Sequence, residues 1–211
     1  MLLVGVSGAG KDTIKHQLLA TGKYHHIVSH TTRAPRENGG VMERDGVEYH
    51  FVSEHEAVQM VRERAFVEVK QYSGHVYGTS VAEIQSAHDD GKIATTDIEV
   101  QGVAEYEAIA PGVITVFILP PNYAEWQRRL YARYGAHQAD PADIAKRMAT
   151  AISELEEALS KPYYHFVVNE DLDETVRVVN SIAHHHDKFT IVDRSFRVWA
   201  ERLLEELRAG I

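Results

Sequence analysis

The stretch that decides the fold is Met1-Leu2-Leu3-Val4-Gly5-Val6-Ser7-Gly8-Ala9-Gly10-Lys11, which runs into Asp12-Thr13-Ile14. Its first four residues are apolar, as in a buried strand, and a helical pattern begins after the lysine. Between them, closely spaced glycines let successive backbone N–H groups point into one concavity that holds phosphate oxygens. Lys11 adds a positive charge for the β- and γ-phosphates of a nucleotide. The plainer alternative is a glycine-rich turn between a strand and a helix.

Asp12 departs from this phosphate-loop pattern, in which a serine or threonine follows the lysine and its hydroxyl ligates Mg²⁺. A carboxylate beside a triphosphate is repelled unless a cation lies between them. Either Asp12 helps to hold the metal, or the metal site is weakened. Thr13 is the next residue with a hydroxyl to offer.

The amino-acid composition argues against several classes of binding partner and site. The 211 residues predict one compact unit, and the net charge of −9 argues against a nucleic acid or a membrane surface as the main partner. The absence of cysteine excludes disulfides and a cysteine nucleophile. The apolar start is too short for a signal peptide or a membrane span, so we expect a cytoplasmic protein. Although the chain has 13 histidines, no metal-ligand spacing accompanies them, which favours surface histidines over a metal site.

Strands and helices alternate along the chain, which predicts a parallel sheet. We expect strands at 26–29, 47–52, 66–72, 92–97, 113–119 and 164–168, and helices at 11–21, 54–64, 123–134 and 144–159. Capping boxes at Ser53 to Glu56 and at Ser80 to Glu83 each predict the start of a helix. Two excursions from the alternation, at about 30–78 and 130–147, are interpreted as flaps over the phosphate loop.

An apolar stripe follows Lys188 near helical spacing, formed by Val192, Phe196, Trp199, Leu203 and Leu207. It predicts a helix that packs on the protein's own core, with a dimer or partner contact as the alternative.

The loop that begins at Ser29 indicates a second anion site. Arg33 and Arg36 can grip one phosphate, because guanidinium forks match its oxygens, although surface arginines are usually only solvated. Tyr49 and Tyr77 add phenol donors. Acceptor and hydroxyl side chains follow in segments that would surround a small pocket: Glu68, Thr79, Asp97 and Glu99. Guanine fits this set, whereas adenine presents the opposite polarity at position 6 and would leave the carboxylates unpaired.

These motifs together resemble those of guanylate kinases over nearly the whole chain. Besides the phosphate loop they are Thr31-Thr32-Arg33-Ala34-Pro35-Arg36, Gly46-Val47-Glu48-Tyr49-His50-Phe51, Phe66-Val67-Glu68, Tyr77-Gly78-Thr79, Asp97-Ile98-Glu99-Val100-Gln101-Gly102, Pro120-Pro121 and Val168-Asn169. The resemblance implies an α/β fold of the P-loop NTPase type, with three α/β/α layers around a parallel central sheet. It places the core at 1–29, 79–129 and 148–211, a small mixed GMP-binding flap at 30–78 and a short helical lid at 130–147.

The resemblance also implies the roles of individual residues. For ATP these are the phosphate loop from Gly5, Val6, Ser7, Gly8, Ala9 and Gly10 to Lys11, then Asp12, Thr13, Arg129 and Asn169. For GMP they are Ser29, Arg33, Arg36, Tyr49, Glu68, Tyr77, Gly78, Thr79, Asp97 and Glu99. Lys11, Arg133 and Arg147 would be catalytic, and Asp12 and Asp97 would hold Mg²⁺.

The implied activity is transfer of the γ-phosphoryl group of ATP to GMP, and by extension to dGMP, in a monomer or homodimer. The sequence departs from the family's usual pattern at Asp12, at Glu99 in place of aspartate, and in a longer loop after Arg36 and a longer lid. The extra methylene of Glu99 would relax base selectivity.

Two alternatives remain. A Gly-Lys-Asp phosphate loop also resembles that of ribose 1,5-bisphosphate phosphokinases, although those relatives lack the full guanine set. Guanylate-kinase-like domains also serve as catalytically silent binding modules, but such modules need not keep the phosphate loop and lid arginines that this chain carries.

Overall fold

A computed structural model describes residues 1–38, 40–132, 140–185 and 190–210, and their side chains except those of Asn38 and of 190–194. The chain forms two compact units. The first unit contains residues 1–21, 97–104 and 112–211, and the second contains 22–96 and 105–111.

The first unit contains three parallel strands, β1 (Leu2–Gly5), β10 (Thr115–Leu119) and β11 (Tyr164–Val168), with β10 between the other two. Every residue of β10 is buried, as its continuous apolar run predicts. The helices of this unit are α1 (Lys11–Ala20), α5 (Tyr123–Ala132), α6 (Pro141–Leu159), α7 (Leu172–His185) and α8 (Thr190–Ala209). Helix α1 packs on β1 and α7, and α8 packs on α6 and β11, so helices cover the strands.

The second unit holds a parallel strand pair and a small mixed sheet. The pair joins β2 (Tyr24–His26) to β9 (Ile93–Asp97), whose last residue belongs to the first unit. The mixed sheet has the order β6-β3-β8-β7, from β3 (His30–Thr31), β6 (His50–Phe51), β7 (Phe66–Tyr72) and β8 (His75–Ser80). Its helices are α2 (Glu54–Arg62), α3 (Val81–Asp89) and the end of α4 (Val100–Ile109). The predicted α/β class with a parallel sheet is confirmed.

The segment predicted as a polar loop after Ser29 is more ordered than expected. It contains β3 and a hairpin of β4 (Glu37–Asn38) and β5 (Val41–Met42). The strand predicted at 47–52 shrinks to β6, because the backbone N–H of Val47 donates to the Arg44 carbonyl and closes a turn. The strand predicted at 26–29 lies earlier, where Tyr24 pairs with Ile93.

One of the two predicted capping boxes forms completely. Ser53 accepts from the Glu56 N–H and the Glu56 carboxylate accepts from the Ser53 N–H, which starts α2. Ser80 likewise accepts from the Glu83 N–H, at 3.2 Å. The Glu83 carboxylate instead accepts from the Val28 N–H at 3.0 Å and lies 2.9 Å from His50 Nε2, so the second box is only half formed. The Glu83 carboxylate therefore contacts Val28 and His50, which are distant in the sequence, instead of the neighbouring Ser80 N–H.

Helix α8 packs on its own unit, as the stripe predicts. Leu203 and Leu207 are buried, whereas Trp199 remains 40% exposed. Ala200 and Leu204 complete the buried face, and the Val192 side chain lies outside the described residues. Among the helices in the described part of the chain, none combines the length and apolarity needed to cross a membrane.

Candidate active site

The phosphate loop connects β1 to α1, and two glycines fix its path. Gly5 has φ 141°, and a Cβ there would lie 2.3 Å from the Ile118 carbonyl oxygen of the neighbouring strand. Gly10 precedes α1 with φ 95°, and a Cβ there would lie 2.3 Å from Asn169 Nδ2. Since no residue with a side chain fits either position without movement, the glycine spacing is a requirement of this loop.

Three side chains from elsewhere in the first unit hold the loop by its carbonyl oxygens. Trp126 Nε1 donates to Ser7 O at 2.9 Å, and Asn169 Nδ2 donates to Ala9 O at 2.8 Å. Arg129 donates to Ala9 O at 3.5 Å and to Asn169 O at 2.9 Å, while Glu125 accepts from the same guanidinium at 2.7 Å. Because the carbonyls are engaged on this side, the loop is fixed before a ligand arrives. Trp126 was missed from the sequence, where it is indistinguishable from a core aromatic.

A cavity of about 720 Å³ opens beside the loop, a volume typical of nucleotide-sized ligands. Its lining comprises Gly5, Val6, Ser7, Gly8, Gly10, Lys11, Asp12, Thr13, Asp97, Ile98, Glu99, Arg129, Asp143, Lys146, Arg147, Thr150 and Glu154. Most residues predicted for ATP therefore meet in one place. Ala9 and Asn169 support the loop through hydrogen bonds instead.

Two cations of the cavity, Lys11 and Arg147, come from α1 and α6. Lys11 stands at the first position of α1, and its ammonium donates to the Gly5 carbonyl. Arg147 lies on α6, where Nη1 donates to Ser7 Oγ at 3.2 Å and Nε pairs with Asp143 at 3.0 Å. The cavity thus places a helix N-terminus, an ammonium and a guanidinium around one volume, which suits phosphate. Arg133 lies outside the described residues.

Carboxylates also line the cavity. Asp97, at the end of β9, forms an ion pair with Lys15, one turn along α1 from Lys11. Burial, opposed by the charge of Lys11 and assisted by that of Glu99, raises the pKa of Glu154 to about 7. Glu154 was missed from the sequence. Its signal was the spacing from Arg147 to Thr150 to Glu154, which places the three on one face of α6.

The second unit carries the residues predicted for the acceptor phosphate. Arg33 is only 6% exposed, and its guanidinium carbon lies 5.2 Å from the centre of the Tyr49 ring. Tyr49 and Tyr77 meet edge to face with their ring centres 5.9 Å apart. Hydrogen bonding to Glu43 and Tyr77 raises the pKa of Arg33, so this guanidinium stays charged.

Glu43 joins both arginines of this loop. Its carboxylate pairs with both terminal nitrogens of Arg33, at 3.0 and 2.9 Å, and accepts from the backbone N–H of Arg36 at 2.9 Å. Hydrogen bonding from Arg33, then from Arg36, lowers the pKa of Glu43. The Arg36 side chain itself is exposed. The sequence did not reveal Glu43, because its approach to Arg33 depends on the β4–β5 hairpin.

The residues predicted for the base lie along the mixed sheet and beside it. Gly78 pairs with His30 in the ladder of β3 and β8, one residue after Ser29, and the Ser29 carbonyl accepts from the His50 N–H. Glu68 pairs with Thr79 between β7 and β8. Two further residues predicted for GMP, Asp97 and Glu99, belong to the first unit and line the cavity described above.

Comparison with known proteins identifies the family. The family model described as guanylate kinase matches residues 1–186. A guanylate kinase of Syntrophotalea carbinolica is 39% identical over 178 residues, which cover 83% of this chain and 80% of the relative. One of Haemophilus influenzae is 37% identical over 185 residues, covering 86% and 85% respectively.

Two further matches differ in coverage. Guanylate kinase 1 of rice is 38% identical over 176 residues, and the matched part spans 44% of that longer protein. The crystal structure of guanylate kinase from Anaplasma phagocytophilum matches with a TM-score of 0.58 and 25% identity, covering 90% of this chain and 87% of that one. Three observations agree on the family: the family model matches residues 1–186, the relatives exceed 30% identity, and the phosphate loop has the expected geometry. The chain belongs to the guanylate kinase family.

Proposed function

We propose that this chain transfers the γ-phosphoryl group of ATP to GMP, giving ADP and GDP. Family membership supports this activity and the predicted enzyme class. The observation that carries the residue roles is the pair of cationic sites described above. One surrounds the phosphate loop with Lys11 and Arg147, and the other holds a buried Arg33 over the Tyr49 ring.

In this proposal the first unit binds ATP. Backbone N–H groups between Gly5 and Thr13 hold the phosphates at the start of α1, and Lys11 neutralises the charge of the β- and γ-phosphates. Arg147 stabilises the charge that gathers on the equatorial oxygens of the transferred group. Arg129 and Asn169 act on the loop itself, through their hydrogen bonds to the Ala9 carbonyl. Arg133 is proposed to assist Arg147 on the basis of the family resemblance.

The cavity residues fit a magnesium ion that is held largely by the nucleotide. Asp12 and Asp97 both line the cavity, and Mg²⁺ usually binds through one or two carboxylates together with substrate phosphates. Within the described ranges, no group of three or more such side chains is placed to hold a metal without the nucleotide. Bound there, the ion would neutralise phosphate charge, and Asp12 would take the place of the usual hydroxyl.

The second unit is proposed to bind GMP. Arg33, Arg36, Tyr49 and Tyr77 would donate to its phosphate, while Glu68 would accept from the donors of the guanine edge. Ser29, Gly78 and Thr79 would complete the base pocket. Asp97 and Glu99 of the first unit are proposed for GMP on the basis of the family resemblance. The family resemblance implies that the lid at 130–147, of which 133–139 lie outside the described residues, would exclude water as a competing acceptor by closing over ATP.

A test of this function offers the chain ATP and Mg²⁺ with one acceptor at a time and measures ADP release. The acceptors are GMP, dGMP, AMP, UMP and ribose 1,5-bisphosphate. We expect release that depends on GMP or dGMP. Turnover with the sugar phosphate alone would identify a sugar-phosphate kinase. If the folded chain releases no ADP with any acceptor, it would be identified as a binding module.

Replacing Asp12 with serine is expected to raise severalfold the Mg²⁺ concentration that gives half-maximal velocity. The change removes a charged oxygen ligand and restores the neutral hydroxyl common in phosphate loops. A magnesium titration of kcat at saturating ATP and GMP measures the effect. Asp12→Asn keeps the shape and removes the charge, so it should behave similarly. Superimposable titrations of all three proteins would contradict a role for Asp12 at the metal.

Replacing Glu43 with glutamine is expected to raise the KM for GMP about tenfold with a smaller change in kcat. The amide would turn a donor toward Arg33 and release the fork from its fixed orientation. Steady-state kinetics at varied GMP measure this. Glu37→Gln, in the same hairpin and exposed, is the matched control and should match the unmodified chain. A lower KM in Glu43→Gln would mean that Glu43 competes with the phosphate.

A further inference from the structure

Tyr106 connects two residues of the predicted base pocket. Its side chain leaves α4 and is only 8% exposed. Its phenol oxygen lies 2.8 Å from Thr79 Oγ1 and donates to Glu68 Oε1 at 3.4 Å. All three residues belong to the second unit. Tyr106 was not among the residues predicted from the sequence, yet it touches two that were.

The chemistry of the three groups fixes the direction of their hydrogen bonds. Burial, with a further contribution from Glu68, raises the pKa of Tyr106 to about 12, so the phenol keeps its single proton at neutral pH. A carboxylate only accepts, so this proton is directed to Glu68. The bond to Thr79 must then run the other way, with the threonine hydroxyl donating to the phenol oxygen.

The direction of these two hydrogen bonds determines which donors and acceptors the pocket presents to a base. With its proton committed to Tyr106, Thr79 retains only lone pairs, and it is 1% exposed, so its hydroxyl has little freedom to turn. Glu68 Oε1 is held by the phenol, which restricts rotation of the carboxylate. A base edge that carries neighbouring N–H donors is matched by such a set, and an edge with acceptors is not.

We propose that Tyr106 is a positioning residue for guanine specificity, which orients the Glu68 carboxylate and fixes the hydroxyl of Thr79 as an acceptor. The inference rests on the proposed binding of GMP in this unit. Tyr106 acts through Glu68 and Thr79 and need not touch the substrate. A purely structural tyrosine would stabilise the fold, but it would not distinguish one purine from another.

The test is Tyr106→Phe, which removes one oxygen and keeps the ring. The unmodified chain and the variant are compared with GMP and with inosine monophosphate, which lacks the 2-amino group. We expect the KM for GMP to rise about tenfold with kcat little changed. The KM for inosine monophosphate should rise less, because that base presents one donor fewer to Glu68. The preference for GMP, as a ratio of kcat/KM values, should therefore fall.

Tyr72→Phe is the matched control, since Tyr72 lies on β7 and is 72% exposed. It should leave both KM values and the preference unchanged, and thermal unfolding should show that both variants are folded at the assay temperature. An equal rise of both KM values in Tyr106→Phe, or no rise, would overturn the inference. If the unmodified chain binds ATP but does not turn over GMP, the proposed function fails instead. The two failures are therefore distinguished in one experiment.

Discussion

In Lys11→Met, kcat for GMP phosphorylation is expected to fall about 100-fold to 1,000-fold, the loss typical when one preorganised charge donor is removed from a transition state. The methionine keeps most of the side-chain volume and removes the ammonium. Lys11 begins α1 and its ammonium donates to the loop carbonyl of Gly5, so it already lies inside the phosphate loop. Steady-state kinetics with varied ATP measure the loss, and the KM for ATP should rise as well.

Lys92→Met is the matched control for this variant. Lys92 pairs with Asp90 at the surface of the second unit, at 3.0 Å, and lines no part of the phosphate cavity. It should retain the kcat and the KM for ATP of the unmodified chain. Equal activity in Lys11→Met and the unmodified chain would contradict the assignment of the loop as the ATP site.

Arg147→Met is expected to lower kcat about 1,000-fold or more, with a smaller effect on the KM for GMP. Arg147 is held by Asp143 and contacts Ser7 of the phosphate loop, so its fork lies where phosphate oxygens would gather charge. Such charge is larger in the transition state than in bound ATP, which is why kcat should suffer most. Single-turnover measurement of GDP formation separates this effect from product release.

Two further variants sharpen the result for Arg147. Arg147→Lys keeps the charge but loses the planar fork, so it should recover only part of the activity. Arg177→Met removes an arginine of α7 whose ion pair with Glu174 is exposed, and it should behave as the unmodified chain. Full activity in Arg147→Lys would mean that charge alone suffices, and full activity in Arg147→Met would remove Arg147 from the mechanism.

The secondary structure of the first unit was predicted well, because the patterns that define its strands lie within short stretches of the sequence. The strand at 164–168 was placed at its observed bounds, and the buried run before Pro120 is β10. In the second unit, the strand at 66–72 was also placed at its observed bounds. The family, the α/β class and the ATP-dependent kinase class are confirmed. Less was predictable between Ser29 and Val52, where β3 depends on β6 and β8, partners that are distant in the sequence.

The candidate site likewise contains residues that sequence motifs predict and residues that only the fold brings together. The phosphate-loop residues and Arg33 could be predicted from their motifs, since glycine spacing and paired arginines are visible in a linear sequence. Glu43 and Tyr106 were not, because each acts through a partner brought near by the fold: Arg33 for Glu43, and Thr79 for Tyr106. Glu154 shares one face of α6 with Arg147, but only burial in the cavity gives it a shifted pKa.

The most direct test of phosphoryl transfer follows the γ-phosphorus of ATP rather than the release of ADP. The chain is incubated with ATP labelled at the γ-phosphate, Mg²⁺ and GMP, and the products are separated. We predict that the label appears in the β-phosphate of GDP, with little in inorganic phosphate. Label in inorganic phosphate alone would show that water is the acceptor and would contradict the proposed kinase activity.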